Sequence, residues 1–268
     1  MKDKVVIITG ASSGIGEALV RSYTAQGVRV VLAARSIDKL QVLSEEIQTY
    51  KNQLLCVKTD VSKEEDCQEL IEKAVGEFGR IDILINNAGI SMRALFEKTE
   101  MTVIKKLMDV NFWGTLYCTK FALPHLLYSK GSVVGVSSIA GYKGLPGRTG
   151  YSASKFAIHG FLEVLRIENM KKGLHVLTAC PGFTASNIRN TALAADGSQQ
   201  GESPRNEENM MTANEVAERI VIAIEKRKAS LTLTFQGKLT LWLNKFFPRL
   251  VDKLVYDHMA KEEDSPFK

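Results

Sequence analysis

The chain has 268 residues, of which 45% are hydrophobic and 24% are charged, so it can bury a large core and is not expected to be disordered. Its four cysteines form no CxxC pair, which argues against a disulfide framework or a structural zinc site and favours a reducing, cytoplasmic location. The net charge is +5, but residues 226–261 hold eight Lys and Arg against two Asp, so the rest is nearly neutral and no nucleic-acid partner is indicated.

Short β-branched runs alternate with helical segments through most of the chain. Strands are predicted at residues 4–10, 28–35, 53–61, 81–89, 131–138 and 173–182, and helices at about 15–27, 66–79 and 100–128 and from Tyr151 onward. This alternation implies parallel strands joined by right-handed crossovers, with helices on both sheet faces. The sequence therefore predicts an α/β fold with a doubly wound parallel sheet of the Rossmann type, in a single domain.

The alternation ends after residue 182. Residues 184–211 are polar and lack a convincing strand, and a segment of this length is predicted to be a substrate lid. Its apolar residues Leu193, Met210 and Met211 are expected to line an adaptable pocket. A helix should restart after Thr212, which forms a capping-box pattern with Glu215, and residues 231–235 alternate as a strand would.

Residues 238–268 are predicted to form a helical extension of a catalytic domain that spans residues 1–237. Two apolar faces have helical spacing on either side of Pro248: Leu239, Trp242, Leu243 and Phe246, then Leu250, Val251, Leu254 and Val255. One hypothesis is that these helices close the substrate pocket or a dimer interface. The other is that, with the basic residues of this region, they make peripheral contact with an anionic membrane surface over residues 238–260.

Two short patterns suggest chemistry. Gly10, Gly14 and Gly16 lie where the first strand turns into the first helix, and glycines there let backbone N–H groups approach a pyrophosphate. Tyr151 and Lys155 are four residues apart near the start of a helix, so their side chains should lie on one face.

Taken together, TGASSGIG (9–16), NNAG (86–89), Asn111, Ser137-Ser138, YSASK (151–155) and Pro181-Gly182 follow one another at familiar separations. In these motifs the chain resembles the short-chain dehydrogenase/reductase family over roughly residues 3–235. The resemblance implies hydride transfer between a nicotinamide and a carbonyl compound or alcohol. It implies four catalytic residues: Asn111, Ser138, Tyr151 and Lys155.

The resemblance also implies a role for each of these residues. Tyr151 would be the general acid/base, Ser138 would hydrogen-bond the substrate oxygen with Ser137 as the alternative, and Asn111 would hold a water that links Lys155 to solvent. A phenol has a pKa of about 10, and a lysine charge about 4 Å away is expected to bring the pKa of Tyr151 to about 7.

The cofactor contacts implied by the resemblance fall in five segments: Gly10, Ser12, Ser13, Gly14, Ile15 and Gly16; Asp60 and Val61; Asn87, Ala88 and Gly89; Tyr151 and Lys155; and Pro181, Gly182, Thr184 and Ser186. At the end of the second strand, Ala34 stands where an NAD enzyme would place an acid, and Arg35 follows it. An arginine there can bind a 2′-phosphate, so NADP(H) is the expected cofactor. Ser13 replaces a frequent second basic residue, for which Lys39 could compensate.

The expected substrate is a small apolar ketone, aldehyde or secondary alcohol. The alternatives are a 3-oxoacyl thioester reductase of the fatty-acid type and a non-catalytic dinucleotide-binding sensor. A homodimer or homotetramer is expected. His125, His159, His175 and His258 have no metal-ligand spacing, so no metal site is expected.

Overall fold

The computed structural model describes residues 3–47, 53–185, 187–201, 210–262 and 265–267. Within these ranges one parallel sheet has the strand order β3-β2-β1-β4-β5-β6-β7. Its strands are β1 (Val5–Thr9), β2 (Arg29–Ala34), β3 (Leu54–Lys58), β4 (Ile83–Asn86), β5 (Ser132–Val136), β6 (His175–Cys180) and β7 (Ser230–Thr232). The predicted doubly wound parallel fold is confirmed, with shorter strands than the apolar runs suggested.

The described helices are α1 (Gly14–Thr24), α2 (Ile37–Glu46), α3 (Glu64–Phe78), α4 (Met101–Leu107), α5 (Gly114–Tyr128), α6 (Thr149–Glu168), α7 (Ala213–Glu225), α8 (Phe235–Phe246) and α9 (Pro248–Ala260). The helix predicted over 100–128 is divided by a π-helical segment, Met108–Trp113. The capping box at Thr212 and Glu215 is confirmed at the start of α7.

Helices cover both faces of the sheet, as a wholly buried parallel sheet requires. On one face, α1 and α7 pack on the central strands through residues such as Leu19 and Ile220. On the other face, α3, α5 and α6 pack through Leu70, Leu126 and Leu162. All residues of β1 and β5 are buried, which explains why their sequences read as continuous apolar runs.

The order of strands changes direction at β1, which pairs with β2 on one side and with β4 on the other. In such sheets a crevice opens beyond the carboxyl ends of the two strands at the switch point. Thr9 ends β1 and Asn86 ends β4, so the loops that follow them meet at this crevice.

The chain leaves the sheet earlier than the strand predicted over 231–235 requires. Strand β7 ends at Thr232, and the Thr234 hydroxyl accepts a hydrogen bond from the Gly237 N–H (3.1 Å), which caps α8. We call α8 and α9 together the C-terminal hairpin (235–260). Of its second apolar face, Val251 is buried and Leu250 is exposed, so only part of that face packs on the body.

The part of the lid that the structure describes is tied to the loop after β4. The Leu193 N–H donates to the Ser91 carbonyl (2.9 Å), and the Leu193 carbonyl accepts from the Arg93 N–H (2.8 Å). Leu193 is buried with Met92 and Val103. Residues 202–209 of the lid lie outside the described ranges. None of the described helices is long and apolar enough to cross a bilayer.

Candidate active site

The glycine-rich turn after β1 is joined to the loop after β4 by hydrogen bonds. The Asn87 amide Nδ2 donates to the carbonyls of Thr9 (3.0 Å) and Gly10 (3.2 Å), and the Thr9 hydroxyl accepts from the Asn87 and Ala88 N–H groups. A Cβ on Gly10 would lie 2.9 Å from Ala88 Cα, and a Cβ on Gly16 would lie 2.1 Å from the Gly10 carbonyl oxygen. Only glycine allows the two loops to approach this closely.

The first turn of α1 can hold an anion. Ser13 is the N-cap residue, but its side chain makes no capping hydrogen bond in the described structure, and Gly14 adopts a left-handed φ of 56°. The helix N-terminus therefore offers backbone N–H groups and the positive end of the helix dipole to the crevice. A pyrophosphate fits this turn, between Ser12 and Ile15, and Ile15 also lines the central cavity.

The other expected nucleotide contacts lie at the same edge of the sheet. Ala34 is buried at the end of β2, and the next residue, Arg35, is exposed. Beyond β3, the Asp60 carboxylate accepts hydrogen bonds from the Ser62 N–H (3.1 Å) and hydroxyl (2.7 Å), and Val61 is buried. An exposed cation thus follows the end of β2, the strand end at which this type of fold contacts the adenine ribose, and Lys39 in the first turn of α2 is exposed as well.

Ser138 and Tyr151 meet in the cavity at the end of β5. Ser138 caps the 3₁₀ turn Ile139–Gly141, where its Oγ accepts from the Ala140 N–H (3.2 Å). Tyr151 lies in the first turn of α6, near enough to the Ser138 side chain for that hydroxyl to lower its pKa. Both residues line the cavity, so a substrate oxygen could contact the two hydroxyls together.

Lys155 lies one turn after Tyr151, with its Nζ 5.7 Å from the centre of the Tyr151 ring. This Nζ donates to the Val136 carbonyl (2.9 Å). Asn111, in the π-helical segment, is fully buried; its amide pairs with the backbone of Ile90 and donates to the Ser154 hydroxyl (2.9 Å). Asn111 therefore fixes the loop after β4 beside α6.

The pKa expected for Tyr151 is wrong for the protein alone. Burial raises the pKa of Tyr151, while the hydrogen bond from Ser138 and the charge of Arg148 lower it. Burial also lowers the pKa of Lys155, to about 8. A full lysine charge beside the phenol would lower the pKa of Tyr151, but desolvation of both groups opposes their ionisation and has the larger effect.

Sequence reasoning missed a second group of polar residues behind Ser138. His159 Nε2 lies 2.7 Å from the Ser137 hydroxyl and 3.6 Å from the Cys180 thiol, and its ring contacts Tyr142 edge to face at 4.2 Å. Burial lowers the pKa of His159 to about 4 and raises the pKa of Cys180 to about 12. All of these groups are neutral near pH 7, and Ser137, which also lines the cavity, is hydrogen-bonded within this cluster.

The cavity between the glycine-rich turn and the C-terminal hairpin has a volume of about 160 Å³. Pro181, Gly182 and Thr184 line it as expected, whereas Ser186 lies outside the described residues. The expectation that lid residues Leu193, Met210 and Met211 line the pocket is wrong for the cavity that the structure describes. Leu193 packs in the interior and Met211 packs against the main core.

Other residues line the substrate end of the cavity, where Leu193, Met210 and Met211 were expected. The substrate end of the cavity is lined by Leu145, Arg148, Phe183, Ile188, Arg189, Met259 and Glu262. The last two come from the end of the C-terminal hairpin and the turn after it, more than one hundred residues from Arg148. No local pattern in the sequence reports a contact across that separation.

Comparison with known proteins identifies the relatives of this chain. The family described as short chain dehydrogenase matches residues 4–197. "Dehydrogenase/reductase SDR family protein 7-like" of Dictyostelium discoideum is 34% identical over 262 residues, covering 95% of this chain and 81% of the relative. "11-beta-hydroxysteroid dehydrogenase-like 4A" of Arabidopsis thaliana is 36% identical over 250 residues, covering 92% and 82%.

Solved structures show the same fold. An alcohol dehydrogenase of Thermococcus sibiricus, complexed with 5-hydroxy-NADP, has a TM-score of 0.76 and 25% identity over 86% of this chain and 95% of its own. A short-chain dehydrogenase/reductase of Burkholderia phymatum, in complex with NAD, has a TM-score of 0.83 and 23% identity over 93% and 95%. One of these proteins was solved with an NADP derivative and the other with NAD.

Proposed function

This chain belongs to the short-chain dehydrogenase/reductase family, oxidoreductases that act on CH–OH and carbonyl groups with a nicotinamide dinucleotide, and on that premise we propose that it is an NADP(H)-dependent enzyme for an apolar ketone, aldehyde or secondary alcohol. The observation that carries the proposal is one cavity lined by Ser138, Tyr151 and Lys155 and reaching the glycine-rich turn. Such a cavity brings a proton donor to the end of the cofactor site.

The bound nicotinamide would supply or accept the hydride. Around it, Ser138 donates a hydrogen bond to the substrate oxygen, and Tyr151 gives that oxygen its proton during reduction or takes it during oxidation. The Tyr151 phenolate left by reduction is stabilised by the Ser138 hydrogen bond and by the charge of Arg148. Lys155 would hold the nicotinamide ribose, and Asn111 fixes the loop beside it.

The remaining cofactor contacts follow from the placement of the residues. The first turn of α1 would bind the pyrophosphate, Asp60 and Val61 the adenine, and Thr184 and Ser186 the carboxamide. NADP(H) is preferred over NAD(H) in this proposal because Ala34 offers no carboxylate to repel a 2′-phosphate, while Arg35 is exposed at the same strand end.

The proposal is tested by NADPH consumption with a panel of hydrophobic ketones, comparing wild type with Tyr151→Phe. The variant keeps the ring but lacks the transferable proton, so kcat should fall by about 10²–10⁴-fold while NADPH binding stays nearly intact. Tyr128→Phe is the matched control, because Tyr128 is almost fully exposed and lies outside the cavity.

A tenth or more of wild-type activity in Tyr151→Phe would contradict the assigned role. Turnover of 3-oxoacyl thioesters but not of simple ketones would select the acyl reductase alternative. NADPH binding without turnover of any carbonyl compound or alcohol would select the sensor.

The C-terminal hairpin serves two roles in this proposal. Its inner side supplies Met259 to the cavity, which supports pocket closure. Its outer side exposes Trp242 (57%) and Phe246 (62%), with four exposed basic residues nearby: Lys238, Lys245, Arg249 and Lys253. Aromatic and basic side chains on one surface suit an anionic bilayer, from which an apolar substrate could enter.

Vesicle co-sedimentation tests the membrane contact. Wild type should bind anionic vesicles at low salt and be released at high salt, because lysine and arginine attraction to lipid headgroups is screened. Trp242→Ser combined with Phe246→Ser should abolish binding. Wild type that stays in the supernatant with anionic lipid at low salt would rule the contact out.

A second copy of the chain is the other proposed partner. Helix α6 exposes Phe156, Val164 and Ile167 at helical spacing, and Trp113 lies exposed just before α5. Apolar stripes on neighbouring helices are typical of homodimer interfaces. Sedimentation should show a dimer or tetramer, and Val164→Glu with Ile167→Glu should give monomers. A wild-type monomer would contradict this assignment.

A further inference from the structure

Charged side chains lie at the substrate end of the cavity, a region first expected to be apolar: Arg148, Arg189 and Glu262 line it, and Arg93 pairs with Glu262. The Glu262 carboxylate lines the cavity with its side chain only 3% exposed. Arg93 Nε lies 3.4 Å and Arg148 Nη2 3.5 Å from the same carboxylate oxygen, and both arginine side chains are nearly buried. Burial of charged groups is costly unless they are paired, so the Glu262 carboxylate stabilises both guanidinium groups in their buried places.

The two arginines are held by the body of the protein. Arg148 is the N-cap residue of α6, three residues before Tyr151, and its carbonyl accepts from the Ser152 N–H (2.8 Å). Arg93 follows the buried Met92. The Arg148 guanidinium also donates to the Gly147 carbonyl (3.3 Å), and the Arg93 backbone N–H donates to the Leu193 carbonyl (2.8 Å), so both residues are anchored to the body apart from Glu262.

The Glu262 carboxylate, in contrast, belongs to the end of the chain. Glu262 lies in a turn after α9, where its N–H donates to the Met259 carbonyl (3.2 Å). The cavity's volume of about 160 Å³ is small beside the roughly 300–1,000 Å³ typical of small-molecule sites. Displacement of the Glu262 side chain would both enlarge the cavity and open the place between the arginines.

We infer that the substrate is amphipathic, with an apolar body and one carboxylate that binds Arg148 and Arg93 in the place that Glu262 occupies. This inference rests on the proposed reaction and names its substrate class. A carboxylate matches the planar guanidinium group through charge-assisted hydrogen bonds. The exchange is neutral in charge, because one buried carboxylate replaces another. Leu145 and Ile188 would contact the apolar body.

The test uses a matched pair of compounds: a medium-chain oxo-carboxylic acid and its methyl ester. The readout is the ratio of kcat/KM for the acid to kcat/KM for the ester, so effects common to both compounds cancel. Wild type should favour the acid by about tenfold or more, the factor that corresponds to one charge-assisted contact. Arg148→Met should abolish most of that preference, and Arg148→Lys should retain part of it.

Two further variants sharpen the test. Glu262→Gln removes the competing carboxylate at almost constant size, so the acid-to-ester ratio should rise by several-fold. Arg166→Met is the matched control, because Arg166 is an exposed arginine of α6 outside the cavity, and its ratio should equal that of wild type.

Calorimetric binding of the acid and the ester to the protein without nucleotide gives a second readout. Tighter binding of the acid, lost in Arg148→Met, supports the inference even if neither compound is reduced; in that case the proposed reaction fails and the acid site stands. Equal binding and equal turnover of acid and ester in wild type and in Arg148→Met would overturn the inference. Glu262 would then only fasten the end of the chain, and the proposed reaction would stand.

Discussion

In the nucleotide half of the cleft, side chains bond backbone groups of neighbouring loops, whereas in the substrate half side chains bond other side chains. The Asn87 amide and the Thr9 hydroxyl join two strand ends by bonding backbone carbonyl and N–H groups. In the substrate half, the Lys143 ammonium bonds Asn244 (2.9 Å) and Asp252 on the C-terminal hairpin, and Glu262 pairs with arginines of the body. The first set of hydrogen bonds is tied to the ends of β1 and β4, while the second joins the C-terminal segment to loops of the body and does not involve the strands.

The residues proposed to transfer the proton and those proposed to select the substrate are held in these two different ways. The cofactor turn and the Ser138–Tyr151–Lys155 set lie on the sheet and on α6, where rigid elements hold the geometry that proton transfer needs. Met259 and Glu262, at the substrate end, come from the end of the chain, and chain ends open at lower free-energy cost than sheet strands. Substitutions in the two halves should therefore have different signatures.

The largest effect is expected for Gly16→Ala in the nucleotide half. The new Cβ would lie 2.1 Å from the Gly10 carbonyl oxygen, which is backbone and cannot move aside. We expect a loss of about 3 kcal/mol or more in unfolding free energy, measured by urea denaturation, and loss of NADPH binding. Gly76→Ala, in an exposed turn of α3 with open space around it, is the control and should stabilise by about 0.4–1 kcal/mol. Equal stability of the two variants would show that the turn is not rigid.

Arg35→Asp should change the nucleotide preference without affecting the substrate end. The carboxylate repels a 2′-phosphate and can accept a hydrogen bond from a free 2′-hydroxyl. The preference for NADPH over NADH, expressed as RT ln of the ratio of their kcat/KM values, should fall by about 1–3 kcal/mol. Lys171→Asp, an exposed lysine near the opposite end of β6, controls for net charge. An unchanged ratio would mean that Arg35 does not contact the cofactor.

The buried cluster around His159 should make the body sensitive to acid. Because burial lowers the pKa of His159 from 6.5 to about 4, the unfolded chain binds a proton more readily than the folded chain between these values. The contribution of neutral His159 to the free energy of unfolding is complete above pH 6.5 and is lost as the pH falls towards 4. We expect a loss of about 1–2 kcal/mol, allowing for partial exposure.

Urea unfolding of wild type and His159→Gln at pH 6.5 and pH 4.5 measures this contribution. The amide keeps the hydrogen bond to Ser137 but has no proton to gain, so the variant should lose less stability over the interval. Parallel pH profiles for the two proteins would show that His159 does not titrate in this range.

The smallest effect is expected in the substrate half, for Asp252→Asn. The Asp252 carboxylate is largely exposed, so its pairing with Lys143 contributes less than about 1 kcal/mol. A looser hairpin should raise KM for the ketone by a few-fold while leaving the Kd for NADPH unchanged. A matching rise in the NADPH Kd would show that the two halves are coupled.

Much of the fold and the conformation of the glycine-rich turn could be predicted because the relevant signals are local. The alternation of apolar runs and helical segments predicts the sheet, the spacing of Gly10, Gly14 and Gly16 predicts the turn, and the Thr212 capping box predicts the start of α7. The boundaries were less accurate: Thr234 caps a helix where a strand was expected, because side-chain capping competes with strand extension at the sheet edge.

The sequence by itself determined the order of elements and the positions of Tyr151 and Lys155 on one helical face, since these depend on backbone periodicity and on residues a few positions apart. Only the tertiary structure decided the pKa direction of Tyr151, the neutral cluster around His159 and the charged residues at the substrate end. Each of these depends on desolvation or on contact between distant segments. Arg148 and Glu262 are 114 residues apart, and their pairing exists only because the end of the chain folds back over the carboxyl edge of the sheet.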